Sequence, residues 1–244
     1  MGRINHYKNK AGFDDMDYLK HKEREEQLTD FFKHCHSKIY PAKTMLARPG
    51  DIPDRLYYIR EGSISICVEN EEGEELIVAY LNQGDFIGEV GYFHDNINDR
   101  MSVVKARTDC RTEEISYQTL KALSKTELKG CYPYLLETLG EQMSKRLLTT
   151  TRKATNMAFM DVSGRVEEAL RDLAAQPDAM RHEQGRQIKI TRQEVSRIVG
   201  CSREMVGRVL KELQERGILW AHGKTMVLFD ENHRGVNASI KKVG

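Results

Sequence analysis

A short segment carries charged side chains at spacings that place them on one helical face: Arg203, Glu204, Arg208 and Lys211. An Arg guanidinium can bond bidentately to guanine O6 and N7, and a Glu carboxylate can accept a hydrogen bond from cytosine N4. Gly207 stands among them and adds no bulk where the helix would approach a partner closely. This face is suited to reading base edges in a DNA major groove. The alternative is an ordinary surface ion pair between Glu204 and Arg208, four residues apart.

Two helices joined by a tight turn must hold this face in place. Thr191, with Glu194 three residues later, has the capping-box pattern of a helix start. Gly200 tolerates the backbone angles of a tight reversal, and Ser202 can cap a second helix. The apolar positions of that second helix recur at helical spacing: Val206, Val209, Leu210 and Leu213. The stretch 190–229 is therefore predicted to be a helix-turn-helix followed by a small β-wing.

A second group with binding chemistry lies in a Gly-rich segment, 82–100. Glu89 can accept a hydrogen bond from a sugar hydroxyl, and Arg100 can pair bidentately with a phosphate. Backbone N–H groups around Gly88 and Glu89 can add to anion binding as a nest. On residue types alone, a Glu and an Arg in such a loop are more often solvated surface.

The region around this loop has the texture of a small β domain. Between Thr44 and Ile115, short strands alternate with turns, and the stretch 63–68 alternates strictly between apolar and polar residues. Such alternation predicts a half-buried strand with Ser63, Ser65 and Cys67 facing out, and Glu71–Gly73 is predicted to be a hairpin turn. Several short strands at regular spacing favour an antiparallel barrel or jelly roll.

A helical stretch with a heptad seam follows, over residues 132–157. Seam residues step by four and three along it: Leu136, Gly140, Met143, Leu147, Thr150, Ala154 and Met157. An a/d seam needs a partner helix, and a symmetric homodimer is the simplest source of one. The alternative is a helix packed on its own domain.

The composition suits a soluble globular protein of 244 residues, with 39% hydrophobic residues, 31% charged residues and a net charge of +1. The charge is uneven, because residues 186–224 hold nine Lys and Arg against four Glu, a local net charge of +5. The five cysteines are scattered and form no C-x-x-C pair, which favours a reduced compartment. No secretory signal and no apolar run of membrane-spanning length is evident, so a cytoplasmic location is expected.

The segments ITRQE, IVGCSRE, VGR and AHGKT resemble the DNA-binding end of the cyclic AMP receptor protein family of bacterial transcription regulators. The segment NQGDFIGEVGYFHDNINDR resembles the phosphate-binding cassette of cyclic-nucleotide domains. The resemblance runs from about Phe31 to about Phe229 and implies an α+β fold. The implied order is a flexible extension (1–26), an antiparallel β jelly-roll cyclic-nucleotide domain (27–131), a dimerisation helix and hinge (132–160), a winged helix-turn-helix (161–230) and a polar tail (231–244).

The resemblance also implies roles for individual residues. The predicted base-reading residues are Arg203, Glu204 and Arg208. The residues predicted to contact the DNA backbone, or to lie near it, are Thr191, Arg192, Gln193, Ser202, Lys211 and His222. Glu89 would take the ribose, Arg100 the phosphate, with Gly88 beside them, while Thr150 and Thr151 would meet the adenine across the dimer. The implied partners are a two-fold symmetric DNA operator, a second copy of the chain and RNA polymerase, in an activator controlled by cyclic AMP.

One departure leaves the ligand open. The family pattern has a small hydroxyl residue after the phosphate-binding Arg, whereas here Met101 follows and Ser102 comes one position later. Either the loop is re-aimed so that Ser102 serves, or the phosphate loses a hydrogen bond of roughly 1.5–3 kcal/mol. Cyclic di-GMP, to which some relatives respond, is the alternative ligand, and control without any ligand is a further one.

Two other classes of function are less favoured. An iron–sulfur redox sensor on the same scaffold needs clustered cysteines, and Cys35, Cys67, Cys110 and Cys131 are too scattered. An enzyme needs a nucleophile–base pair or a metal motif, and the sequence contains neither, so no catalytic or metal-binding residue is assigned.

Overall fold

The computed structural model describes residues 22–94 and 102–230. These residues fall into two compact units, one within Asp17–Ala154 and one within Thr155–Gly244. The polar tail 231–244 lies outside the described residues, as do most of the predicted extension and the loop residues 95–101.

The first unit contains two four-stranded antiparallel sheets. One has the strand order β1-β8-β3-β6 and the other β2-β7-β4-β5. The strands are β1 (His36–Tyr40), β2 (Met45–Ala47), β3 (Arg55–Glu61), β4 (Ser63–Glu69), β5 (Glu75–Asn82), β6 (Phe86–Ile87), β7 (Ser102–Ala106) and β8 (Cys110–Ser116). The helices are α1 (Thr29–Lys33), α2 (Glu89–Phe93), α3 (Tyr117–Leu123) and the long α4 (Tyr132–Phe159), whose last five residues belong to the second unit.

Strand β3 is buried on both of its faces because it separates two apolar cores. Tyr57 and Ile59 pack with residues of the facing sheet, such as Ile64 and Val104. The alternate residues, Leu56 and Tyr58, face a second core supplied by helices. That second core includes Phe31, Leu120, Leu128, Leu135 and Leu139. The predicted jelly roll is confirmed, with a helical layer covering one of its sheets.

The prediction that β4 is a half-buried strand was wrong. Ser63, Ser65 and Cys67, expected to face out, are buried together with Ile64. Small polar residues tolerate burial when they are hydrogen-bonded. The Ser65 hydroxyl donates to Lys105 O at 3.3 Å. The backbone N–H of Ser63 donates to Thr108 Oγ1 at 2.9 Å, whereas its buried hydroxyl has no partner among the described residues. Alternation in the sequence did not reveal the chain segments that cover this face.

Residues 22–27, at the end of the predicted flexible extension, are helical. Glu25 accepts hydrogen bonds from Arg60 Nη1 at 2.6 Å and from the Tyr58 hydroxyl at 3.2 Å. Arg24 donates to Glu141 Oε2 of α4 at 3.1 Å. This end of the extension is therefore tied to the β domain by side-chain contacts.

Helix α4 has two faces with different surroundings. Leu135, Thr138, Leu139 and Gln142 are buried on the β domain. Most of the predicted seam lies on another face, where Gly140, Thr150 and Ala154 are exposed and Leu147 and Met157 are 68% and 47% exposed. Its first residue, Leu136, packs against the core of the β domain, and Met143 is half-buried.

The second unit combines three helices with a four-stranded sheet of order β11-β12-β10-β9. The helices are α5 (Val162–Ala174), α6 (Arg192–Val199) and α7 (Arg203–Glu215), and the strands are β9 (Met180–His182), β10 (Gly185–Lys189), β11 (Leu219–His222) and β12 (Thr225–Phe229). Helices α6 and α7 with the β11–β12 hairpin confirm the predicted winged helix-turn-helix. Val166, Val195, Val206 and Leu213 from the three helices are each fully buried in its core.

The predicted caps of this unit are present. Thr191 Oγ1 accepts the N–H of Glu194 at 3.1 Å, while the Glu194 carboxylate accepts the N–H of Thr191 at 3.0 Å. Gly200 ends α6 in the left-handed region, with φ 68° and ψ 52°, which a residue with a Cβ adopts only under strain. Ser202 caps α7 by accepting the N–H of Met205 at 3.2 Å.

Replacing Thr191 with Ala removes the hydroxyl half of the capping box. We expect a loss of about 1 kcal/mol in the free energy of unfolding, the usual cost of a lost N-cap. Thr191→Ser keeps the hydroxyl and is the matched control. Urea denaturation followed by the fluorescence of Trp220, the only tryptophan in the chain, measures both variants in this unit. Equal stability of the two would contradict a capping role.

No helix among residues 22–94 and 102–230 is long and apolar enough to cross a membrane.

Candidate functional site

The candidate ligand site is built around the sharp turn from β6 into α2. Gly88 caps α2 with φ 96° and ψ 0°, a left-handed conformation that favours glycine. A Cβ at Gly88 would also lie 2.3 Å from the carbonyl oxygen of Arg55, so any side chain is excluded there. The Tyr117 hydroxyl donates to Gly88 O at 2.5 Å and holds the turn from the other side. The backbone is thereby fixed where Glu89 begins α2.

Glu89 is a buried carboxylate, 4% exposed, and its partner comes from the long helix. Arg146 of α4 forms an ion pair with Glu89 Oε1 and donates through Nη2 to Phe86 O at 2.6 Å. No described residue bonds to the second carboxylate oxygen of Glu89. This oxygen is available to accept a hydrogen bond from a ligand hydroxyl.

Arg146 also has a buried donor that is left over. Its Nε is buried and meets no hydrogen-bond acceptor among residues 22–94 and 102–230. An orphaned buried donor costs free energy, roughly 1–3 kcal/mol. The arrangement therefore fits a site that an anionic or hydroxyl-bearing ligand completes.

One helical turn before Arg146, Gln142 fixes α4 to the same strand. Its side-chain amide accepts the N–H of Phe86 at 2.7 Å and donates to Phe86 O at 2.9 Å. Further along α4, Lys153 Nζ donates to Val78 O of β5 at 2.7 Å. The helix that carries Thr150 and Thr151 is thus held against the β domain on both sides of that pair.

The other predicted ligand residues are placed as follows. Arg100 and Met101 lie outside the described residues. Ser102 begins β7, where it pairs with Val68 of β4. Thr150 and Thr151 are exposed on α4.

Sequence reasoning missed Arg146. Its signal was a cation on α4 four residues, about one helical turn, before Thr150, the residue already assigned to the ligand. The expected partner of Glu89 was a ribose hydroxyl, and an Arg 57 residues away along the chain had no reason to be considered.

Burial raises the pKa of two kinds of acid in this unit. Burial raises the pKa of the Asp85 carboxyl, which accepts the N–H of Asn82 at 2.7 Å, against the opposing effects of that bond and of Arg146. Burial also raises the pKa of the Cys35 thiol to about 12. Burial also raises the pKa values of the Cys110 and Cys131 thiols, and that of the Cys201 thiol in the second unit.

These thiols are poor candidates for redox chemistry or metal binding, because both need the thiolate. In the described part of the chain, no group of three or more His, Cys, Asp or Glu residues is arranged to hold a metal ion.

The candidate DNA-binding face lies in the second unit. Arg203, Glu204 and Arg208 are all exposed on α7. No ion pair joins Glu204 to Arg208 in the described structure, so the surface-pair alternative is not formed. Lys211 lies 3.8 Å from Glu215, both largely exposed, and such pairs are worth little. The three predicted base readers therefore keep their hydrogen-bonding groups available.

The predicted backbone contacts divide into two groups. Thr191 and Ser202 use their hydroxyls to cap α6 and α7. Arg192, Gln193 and His222 are exposed, and His222 stacks on Trp220 in the wing at 6.0 Å between ring centroids.

Two family models match the chain. A cyclic nucleotide-binding domain model covers residues 37–127, and a model described as bacterial regulatory proteins, crp family, covers residues 188–219. The cAMP-activated global transcriptional regulator CRP of Salmonella typhimurium is 48% identical over 199 residues, covering 82% of this chain and 92% of the relative. The chain belongs to the crp family of bacterial regulatory proteins. It is a DNA-binding transcription regulator with a cyclic nucleotide-binding domain, and its family is not one of enzymes.

Other members of the crp family are equally similar to this regulator. The CRP-like protein Clp of Xanthomonas euvesicatoria is also 48% identical, over 82% of this chain and 86% of the relative. A solved structure of the c-di-GMP responsive global regulator CLP from Xanthomonas campestris has a TM-score of 0.78 and 46% identity, covering 84% of this chain and 99% of that one. Relatives that are similarly close to this chain are therefore named for different ligands, cAMP for CRP and c-di-GMP for CLP.

Proposed function

We propose that this crp-family regulator is a homodimer that binds a two-fold symmetric DNA operator under the control of cyclic AMP. The observation that carries the proposal is the buried Glu89 carboxylate, which is paired with Arg146 on one oxygen and bonded to no described residue on the other. A charged acceptor held in a fixed direction suits a ribose 2′-hydroxyl. The ligand would connect the β domain to α4, the helix that bears the dimer seam.

Glu89 alone does not separate cyclic AMP from cyclic di-GMP, because both have free ribose 2′-hydroxyls beside singly charged phosphodiesters. The choice of cyclic AMP rests on the match of residues 37–127 to the cyclic nucleotide-binding domain and on the resemblance of the segment 82–100 to its phosphate-binding cassette. A CRP relative is named as cAMP-activated, whereas the CLP structure is described as c-di-GMP responsive. Met101, where a hydroxyl residue is expected, keeps cyclic di-GMP as the second candidate.

Calorimetric titration of the full chain separates these ligands. We expect saturable uptake of one cyclic AMP per subunit and weaker or no uptake of cyclic di-GMP. Glu89→Gln should weaken cyclic AMP binding roughly tenfold or more, because a hydrogen bond to a charged acceptor is lost. No heat with cyclic AMP and tight binding of cyclic di-GMP would overturn the assignment.

The analogue 2′-deoxy-cyclic AMP tests the role of Glu89 without changing the fold. The wild-type chain should bind it about as weakly as Glu89→Gln binds cyclic AMP. The Glu89→Gln variant should bind cyclic AMP and 2′-deoxy-cyclic AMP with about equal affinity. If the variant still discriminates fully, the 2′-hydroxyl is bound by another group.

The DNA-binding half of the proposal rests on the exposed face of α7. In helix-turn-helix dimers the two recognition helices enter major grooves about one helical turn apart. Two Arg and one Glu as base readers favour half-sites rich in G·C contacts. Selection from a random duplex library, with cyclic AMP present, would identify the operator.

Arg208→Ala should reduce affinity for that selected operator by about 1–3 kcal/mol and relax the base preference at one position of each half-site. Lys211→Ala is the matched control, because loss of a phosphate contact weakens all sequences alike. Gel-shift titration against the operator and single-base variants measures both. A uniform loss with Arg208→Ala would remove it from the base readers.

Activation of transcription through contact with RNA polymerase is part of the same proposal. It rests on family membership and on the cAMP-activated relatives, and transcription in vitro with and without cyclic AMP tests it.

A further inference from the structure

Helix α2 is bonded to the long helix α4 through two residues that lie one helical turn apart. Glu89 and Tyr92 are the buried residues of α2. Glu89 pairs with Arg146, whereas the hydroxyl of Tyr92 lies 2.7 Å from that of Tyr132, the first residue of α4. These two partners, at positions 132 and 146, lie about 21 Å apart along the axis of α4 at a rise of 1.5 Å per residue. Two attachments so far apart fix the direction of α2 relative to α4.

The bond between the two tyrosines lies at the edge of an apolar core. Tyr92 is 6% exposed and belongs to the cluster that contains Leu135 and Leu139, and Tyr132 packs against the same cluster. Burial and the bond to Tyr132 raise the pKa of Tyr92, so its hydroxyl stays protonated. A hydrogen bond away from water is directional, and it therefore restrains the two helices that it joins.

Helix α2 also packs directly on the chain before β3 and on the first residue of α3. A Cβ placed on Gly91 would lie 2.7 Å from Pro53 Cβ and 2.8 Å from the Tyr117 hydroxyl oxygen. Real Cβ atoms do not come so close to other atoms, so this close approach requires glycine. The Tyr92 ring meets the Tyr117 ring edge to face, with 5.5 Å between centroids. Helix α2 has no room to move toward Pro53 and Tyr117, and the bond from Tyr92 to Tyr132 restrains the movement that is left.

We propose that Tyr92 and Tyr132 are positioning residues for ligand binding: their hydrogen bond sets the direction of α2 on α4 and thereby aims the Glu89 carboxylate at the ligand hydroxyl. The inference rests on the proposed role of Glu89 in binding cyclic AMP and deepens it. Both tyrosines act through α2, and neither needs to touch the ligand.

The test removes each hydroxyl while keeping the rings. With Tyr92→Phe or Tyr132→Phe, calorimetric titration of the full chain should show cyclic AMP binding roughly fivefold more weakly, the effect of one lost hydrogen bond. Tyr134→Phe is the matched control. Tyr134 packs against the same core from the same turn of α4, and its hydroxyl forms no hydrogen bond with any residue among 22–94 and 102–230. The control should bind cyclic AMP like the wild type, and thermal melting should show all three variants folded.

The analogue 2′-deoxy-cyclic AMP separates positioning of Glu89 from a general loosening of the site. It lacks the hydroxyl that Glu89 would accept, so Tyr92→Phe and Tyr132→Phe should change its affinity less than about twofold. The preference for cyclic AMP over the analogue should therefore become about fivefold smaller in both variants. If the two nucleotides are weakened equally, the tyrosines do not aim Glu89 and the proposal is wrong.

The double variant shows whether the two hydroxyls act as one bond. Tyr92→Phe combined with Tyr132→Phe should bind cyclic AMP no more weakly than either single variant, because both remove the same contact. Additive losses would mean that each hydroxyl acts separately, which contradicts the proposal.

Amide hydrogen exchange tests the positioning of α2 without any nucleotide. In Tyr132→Phe, which leaves α2 itself unchanged, the amides of Tyr92 and His94 that bond within α2 should exchange several-fold faster. Exchange around Gln142, which is anchored to Phe86, should not change. Unchanged exchange in α2 would overturn the inference. A wild-type chain that binds neither nucleotide would refute the proposed function, and the exchange result would still decide whether the tyrosine bond positions α2.

Discussion

Leu147→Glu is expected to convert the homodimer into monomers at micromolar concentration. Leu147 is 68% exposed in the single chain and stands in the middle of the seam on α4. Burial of a leucine side chain contributes about 1.5–3 kcal/mol, and a symmetric dimer contains two copies. The substitution should therefore weaken association by roughly 3–6 kcal/mol, before any cost of burying a carboxylate. Analytical ultracentrifugation of the full chain measures the dissociation constant.

The adjacent residue provides a matched control. Leu148 is the same amino acid on the same helix and is 72% exposed, but it lies off the seam. Leu148→Glu should leave the dimer intact. Dissociation by Leu148→Glu but not by Leu147→Glu would place the interface on a different face of α4. A wild-type chain that is already monomeric would remove the homodimer from the proposed function.

Arg146→Met is expected to destabilise the first unit by roughly 3–5 kcal/mol, the usual cost of removing one partner from a buried ion pair. The substitution leaves the buried Glu89 carboxylate without its cation and leaves Phe86 O without one donor. Arg146 itself is 26% exposed, so the lower end of that range is the better expectation. Urea denaturation followed by far-ultraviolet circular dichroism measures the loss. The fluorescence of Trp220, in the second unit, reports separately.

Two comparisons isolate the ion pair. Arg24→Met breaks another Arg–Glu pair on α4, to the 75% exposed Glu141, and should cost about 1 kcal/mol or less. Combining Arg146→Met with Glu89→Gln removes the buried charge and should recover part of the lost stability. If the double variant is as unstable as the sum of the singles, the stabilising role belongs to packing of the arginine stem. Cyclic AMP binding should remain weak in the double variant, since the ligand acceptor is missing.

The amino-acid sequence by itself determined the helix-turn-helix and the wing of the second unit, whereas strands β9 and β10 were not predicted. The capping box of Thr191 and Glu194, the left-handed Gly200 and the Ser202 cap each depend on residues within four positions of one another. Such local interactions leave a readable pattern, because the spacing along the chain is the spacing in space. The alternation that indicated an antiparallel β domain and the heptad seam of α4 can also be recognised in the sequence, because they too depend on residues a few positions apart.

Contacts between residues far apart in the chain were decided only by the tertiary structure. Arg146 contacts Glu89 because α4 packs against β6. The two residues are 57 positions apart, so no local sequence pattern indicates that they pair. The burial of Ser63 and Ser65 depends on the segment around Lys105 and Thr108. Likewise, the sequence placed Gly207 on the recognition helix, whereas only the packing of α6 on α7 brought Arg192 Nη1 to 3.5 Å from the position of a Cβ there. A periodic pattern reports which face of an element is apolar, and the identity of the group that meets that face is fixed only when the elements pack.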